Sequence, residues 1–158
     1  MKAASLKQIK DELRHCSRDD LLNICIRLVK FRVENKELLT YLLFSSVDES
    51  AYIRQVREMM DEEFAVINRR TVYYIKKTIR KILKQTRRYI KYSGEKTTEL
   101  DLLIYFCRKM RTEKIPMDNS RMLANIFQRE LGRIEMLLAK MHEDIRADYE
   151  EDIVWLKA

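Results

Sequence analysis

Apolar residues recur at helical spacing through almost the whole chain, and the points where the pattern weakens predict where helices end. Ser5 and Gln8 form a capping-box pair ahead of a short helix from about Leu6 to His15, and Ser17 with Asp20 repeats the device. Leu21, Ile24, Cys25, Leu28, Phe31, Leu38, Leu39 and Leu42 then share one helical stripe, which predicts a second helix ending near Ser45 and Ser46. From Asp48 a third stripe (Ile53, Val56, Met60, Phe64, Ile67, Thr71, Ile75, Thr78, Ile82, Thr86, Tyr89) advances by steps of 3, 4 and 4. That eleven-residue period argues against a left-handed zipper.

A straight helix over 49–92 would be about 66 Å long, against about 40 Å for a compact domain of this size. Asn68, Arg69, Arg70 and Thr71 are the weakest part of the stripe, so a bend or break is expected there. Gly94 suits a left-handed C-terminal cap. Thr97 or Thr98 is the expected start of the next helix, whose core Leu102 to Cys107 is apolar on every face and reads as buried on most sides. Pro116 interrupts, Asp118 or Asn119 offers a cap, and a last long helix carries Met122, Leu123, Ile126, Phe127, Leu131, Ile134, Leu137, Leu138, Met141 and Ile145, extending as far as Trp155. The whole pattern predicts one all-α domain over 1–158, a single-domain helical bundle or irregular helical array of five or six helices, with a long bent or broken central helix at about 49–92.

Composition agrees with that reading. The 158 residues include two glycines and one proline, too few for hairpins or phosphate loops. No stretch approaches the roughly 20 apolar residues that span a bilayer, the N-terminus lacks a signal-peptide pattern, and three cysteines without a C-x-x-C pair suit reduced thiols. These features predict a cytoplasmic protein with no transmembrane segment.

Candidate chemistry is sparse. The chain has two histidines. Glu12 and His15 make one E-x-x-H, but Ala139 stands three residues before His142, so the second copy that a di-iron bundle requires is missing. His15 reads as a surface residue at a helix C-terminus, where an imidazolium suits the dipole. Cys25 and Cys107 lie in apolar runs and are expected in the core. Asn35 falls on the second stripe and reads as a hydrogen-bonded core residue. Gly132, inside the last helix, is expected where a neighbouring backbone approaches closely. Neither a catalytic centre, a metal site nor a cofactor is expected.

Charge singles out one segment. Residues 69 to 91 carry ten basic side chains and no acidic one, against a formal net charge of +7 for the whole chain. On a helical wheel the ten, Arg69, Arg70, Lys76, Lys77, Arg80, Lys81, Lys84, Arg87, Arg88 and Lys91, fill an arc of about 140° opposite the apolar one, with Tyr73 among them. The strip would be about 34 Å long. Nine like-charged pairs at i,i+3 or i,i+4 cost roughly 2 to 4 kcal/mol in all, so part of the strip should be neutralised. The acid-rich C-terminal segment, with Glu143, Asp144, Asp148, Glu150, Glu151 and Asp152, is the internal candidate.

The external candidates are an acidic protein partner, which makes the chain a non-enzymatic protein-interaction module, and a nucleic acid bound without regard to sequence, with Tyr73 and Tyr92 available for stacking. A membrane surface is a poorer fit, because the apolar face holds three threonines and lacks Trp and Phe.

The opening LKQIKDELRHCSRDDLLNICIRL is loosely similar to the SAP-type helix-loop-helix DNA motif, except that His15, Cys16 and Ser17 stand where that motif prefers glycine and a hydrophobic turn. The succession SLKQIKDELRHCSRDDLL, KELLTYLL and TELDLLIYFCRKM resembles uncharacterised bacterial all-helical proteins of unassigned function. That resemblance implies a helical fold and carries over no site.

Overall fold

The computed structural model describes all residues, Met1 to Ala158, and holds only helices and their connections. There are nine α-helices rather than five or six: α1 (Leu6–His15), α2 (Arg18–Phe31), α3 (Val33–Thr40), α4 (Glu49–Ala65), α5 (Val72–Ser93), α6 (Lys96–Thr112), α7 (Arg121–Leu138), α8 (Glu143–Asp148) and α9 (Glu150–Lys157). A five-residue π-helical segment, Tyr41–Ser45, continues α3.

The larger count comes from breaks that the apolar pattern runs through. The second stripe is split by Arg32, one extended residue between α2 and α3. The last is split at Ala139 to His142 and again at Tyr149. The predicted break in the central helix falls at residues 66–71. There the Asn68 side chain accepts from the Arg70 amide, and Thr71 caps α5 through the Tyr74 amide.

Chain contacts divide the protein into two compact units, residues 1–44 and 45–158. In the first, both capping boxes form as the sequence predicts, Ser5 with Gln8 and Ser17 with Asp20. Asn35 donates from its side-chain amide to the Leu28 carbonyl at 2.7 Å, fixing the bend between α2 and α3. It does so half-buried rather than in a core. Tyr41 is the one fully buried residue of this unit, and Cys25, expected inside, is exposed.

The second unit has a dense core. α4 and α5 fold back on each other, as three cross-links show: Tyr52 Oη donates to the Tyr89 carbonyl, Ser93 Oγ to the Glu49 carboxylate, and Lys81 Nζ to Glu63. The carried phase of the third stripe is therefore two faces of one hairpin, Val56, Met60 and Phe64 on α4 and Ile75, Ile79 and Ile82 on α5, all buried. α6 packs against α4, α5, α7 and α9. Its Leu100, Leu102, Leu103, Phe106, Cys107 and Met110 are almost wholly inaccessible, which is why its sequence is apolar all round.

The caps of α6 and α7 differ from expectation. Glu95 precedes α6, and buried Thr98 spends its hydroxyl on Glu49 at 2.6 Å. Ser120, not Asp118 or Asn119, caps α7 by accepting from the Leu123 amide. Gly94 closes α5 at φ 72°, as predicted. A Cβ at Gly132 would meet nothing within 4 Å, so close backbone approach does not explain that glycine.

Candidate interaction surface

α5 carries the basic strip, and its neighbours decide how much of it is available. Because the helix starts at Val72, Arg69 and Arg70 lie in the preceding turn and the strip on the helix runs from Lys76 to Lys91, about 23 Å. Arg69 turns toward the end of α6, donating to the Glu113 carbonyl at 2.8 Å and to its carboxylate at 3.1 Å.

Two further cations are tied down at opposite edges. Lys81 pairs with Glu63 of α4 at 2.7 Å. Arg87 donates to both carboxylate oxygens of Glu130 on α7, at 2.6 and 2.8 Å. Glu130 is wholly buried, and Arg129 Nε adds a third bond at 3.1 Å. Three bonds to cations compensate the loss of hydration, without which a carboxylate there would be strongly unfavourable.

Between these edges, Lys77, Arg80, Lys84 and Lys91 are exposed and make no ion pair or hydrogen bond with the rest of the chain. At 100° per residue these four fall within an arc of about 60°, and exposed Tyr73 falls in the same arc. Tyr73 meets Tyr74 edge to face, with ring centroids 5.5 Å apart. Arg88, just outside this arc on the Lys81 side, is half-buried and lies over the Tyr89 ring. Lys76 is half-buried, and Tyr92, the other stacking candidate, is buried. Arg70 is exposed in the turn.

The acid-rich C-terminal segment does not neutralise the strip. Asp152 pairs with Arg108 of α6, and the Trp155 carbonyl accepts from Arg111, so α9 lies on α6 instead. Both guanidinium groups also sit over the Trp155 ring. Glu143 pairs with Arg146 inside α8. The neutralising carboxylates come from α4, the end of α6 and α7, which the sequence pattern does not reveal.

A groove of about 870 Å³ adjoins the strip at Arg87 and Lys91 and runs between the end of α5, the start of α6 and α7. Gly132 leaves it open at a point where any side chain would project into it. Its walls include the bidentate pair Arg133 and Glu99, at 2.7 and 2.9 Å. It has no histidine, cysteine or serine in its lining.

Other chemistry-bearing groups lie apart from one another. Cys107 is buried at the centre of α6, where desolvation pushes its thiol up to about 12 and buried Glu130 adds to the effect. Asp101 accepts from Tyr149; burial raises the carboxyl above its usual range and, with Asp101, pushes the Tyr149 phenol up to about 12. No three His, Cys, Asp or Glu side chains are grouped as metal ligands. No helix is long and apolar enough to cross a membrane.

The chain matches no model of a known protein family, no curated protein and no solved structure.

Proposed function

We propose that the protein is a non-enzymatic cytoplasmic interaction module that docks an acidic protein surface along the exposed face of α5. The observation that carries this reading is the row Lys77, Arg80, Lys84 and Lys91, four exposed cations without partners between two edges that are already paired. Repulsion along such a row favours a partner that brings negative charge. Lys77, Lys84 and Lys91 recur every seven residues, about 10.5 Å, a repeat that carboxylates on one face of an acidic helix can match.

A second reading, binding of nucleic acid without sequence preference, is favoured by one specific feature: Tyr73 is exposed in the same row, where it could stack on an unpaired base.

One titration separates the two. Fluorescence anisotropy is measured with a labelled acidic helical peptide and with labelled single- and double-stranded oligonucleotides, across 50 to 300 mM salt. The protein-docking reading expects micromolar binding of the peptide, lost in Lys77→Glu/Lys84→Glu, and weaker binding of oligonucleotides. Tight oligonucleotide binding with a log–log salt slope near −3 to −4, as about four phosphate contacts would give, and sensitivity to Tyr73→Ala would favour the second. No binding of either probe at 50 mM salt refutes both.

A further inference from the structure

We infer that the partner of the α5 row is an acidic helix that ends in an aromatic residue, and that this residue seats in the groove beyond Lys91. The inference rests on the docking reading above and supplies the part of the partner that the row leaves undefined.

The row and the groove form one continuous surface. Lys91 is the last free cation of the row and also lines the groove, with Ile90 and Gly94 beside it at the end of α5. A helix lying along Lys77, Lys84 and Lys91 therefore reaches the groove within one further turn, about 5.4 Å.

The groove asks for something other than negative charge. Its arginines are engaged, Arg87 and Arg129 with Glu130 and Arg133 with Glu99. Glu95, the remaining acid of the lining, is exposed and makes no ion pair, so it repels a further carboxylate. Ile90, Leu103 and Met136 lie among these groups, and most of the open surface is apolar. The acidic run of a partner is thus complementary as far as Lys91, and an uncharged, apolar residue is complementary beyond it.

Two features specify a flat ring. Met136 is 53% exposed, the only exposed large hydrophobic residue of α4 to α7 apart from Tyr73 and Tyr74 at the start of α5. Its thioether makes favourable contacts with aromatic rings, and the exposed guanidinium of Arg129 on the same wall can lie over one. The second feature is Gly132. Glycine weakens the interior of a helix, and a Cβ at this position would meet nothing within 4 Å, so packing inside the chain does not call for it. What it provides is a length of α7 backbone bare to the groove, against which a ring can rest.

The test uses labelled helical peptides of about 20 residues, with glutamates seven residues apart to match the row. Two of them carry a phenylalanine one turn beyond the last glutamate, at either end, and the control carries serine at both places. Fluorescence anisotropy at about 50 mM salt should show one phenylalanine peptide binding the full chain about ten- to a hundredfold tighter than the control, the effect of burying one such side chain. Gly132→Gln fills the groove with a residue that suits a helix. It should bring that peptide down to the affinity of the control, leave the control unchanged, and raise Tm. Met136→Ser should remove part of the same advantage. If no peptide binds, the docking reading falls and the inference with it. If all three bind equally, the row stands and the inference is overturned. A phenylalanine advantage that survives both Gly132→Gln and Met136→Ser also overturns it, because the ring then sits elsewhere.

Discussion

Arg87 holds Glu130 by both carboxylate oxygens, so a cation that looks like part of a binding strip is an anchor for the only fully buried acid of the chain. Its neighbour Lys84, one turn away, has no partner. The two should behave differently when truncated. Arg87→Ala leaves Glu130 with Arg129 alone; breaking a buried pair is costly, but Arg87 is 45% exposed and its share is screened, so a loss of about 1 to 3 kcal/mol is expected. Lys84→Ala should change stability by less than about 0.5 kcal/mol. Urea denaturation of the two variants measures the difference.

The two glycines predict opposite signs. Gly94 takes φ 72° at the end of α5, where any side chain strains the backbone whatever the space around it. Gly94→Ala should cost about 1 kcal/mol. Gly132 is helical and opens on the groove, so Gly132→Ala should add about 1 kcal/mol. Each is about 2 to 4 °C in Tm, downward and upward respectively, for a chain of this size.

Glu49 joins three helices through one side chain. Its Oε1 accepts from Ser93 at 2.5 Å and from Thr98 at 2.6 Å, and Thr98 is wholly buried. Glu49→Ala should cost about 1 to 3 kcal/mol, because the Thr98 hydroxyl loses its acceptor. Glu49→Gln keeps a carbonyl oxygen in the same place and should restore most of the loss, as thermal unfolding of the pair would register.

Alkali should destabilise the protein through its buried thiol and phenols. Burial raises Cys107 from 9.0 to about 12 and Tyr149 from 10.0 to about 12, and it raises Tyr105 as well. Each group gives up its proton more readily in the unfolded chain. Their contribution to stability is therefore full below about pH 9 and is lost as pH rises from 9 toward 12. The urea midpoint should fall across that window, and Cys107→Ala should flatten the first part of the fall. In the native protein at pH 8, Cys25 should react with a thiol reagent while Cys107 stays silent until unfolding.

What the sequence reveals here is mostly local. The capping boxes at Ser5 and Ser17, the glycine stop at Gly94 and the break near Thr71 each depend on residues within one turn, and each is readable. The breaks at Arg32 and at residues 139–142 carry no glycine or proline, so the apolar stripe passes through them without a mark. Thr98 looks like a cap but serves a partner 49 residues away. The strip itself is plain from composition. Which of its cations are occupied is not, since Glu63, Glu113 and Glu130 lie 18 to 44 residues from Lys81, Arg69 and Arg87 and meet them only once the helices pack.

The order of packing in residues 45–158 bears on how quickly this unit forms. α4 meets α5, α5 meets α6 and α6 meets α7, each the next helix along the chain, and α4 with α6 skips only one. Short loops close at little entropic expense, and proteins whose contacts are so near in sequence cross their folding barrier in microseconds to milliseconds. This unit can therefore complete its core soon after α9, which supplies buried Leu156, is released, well before a partner is met.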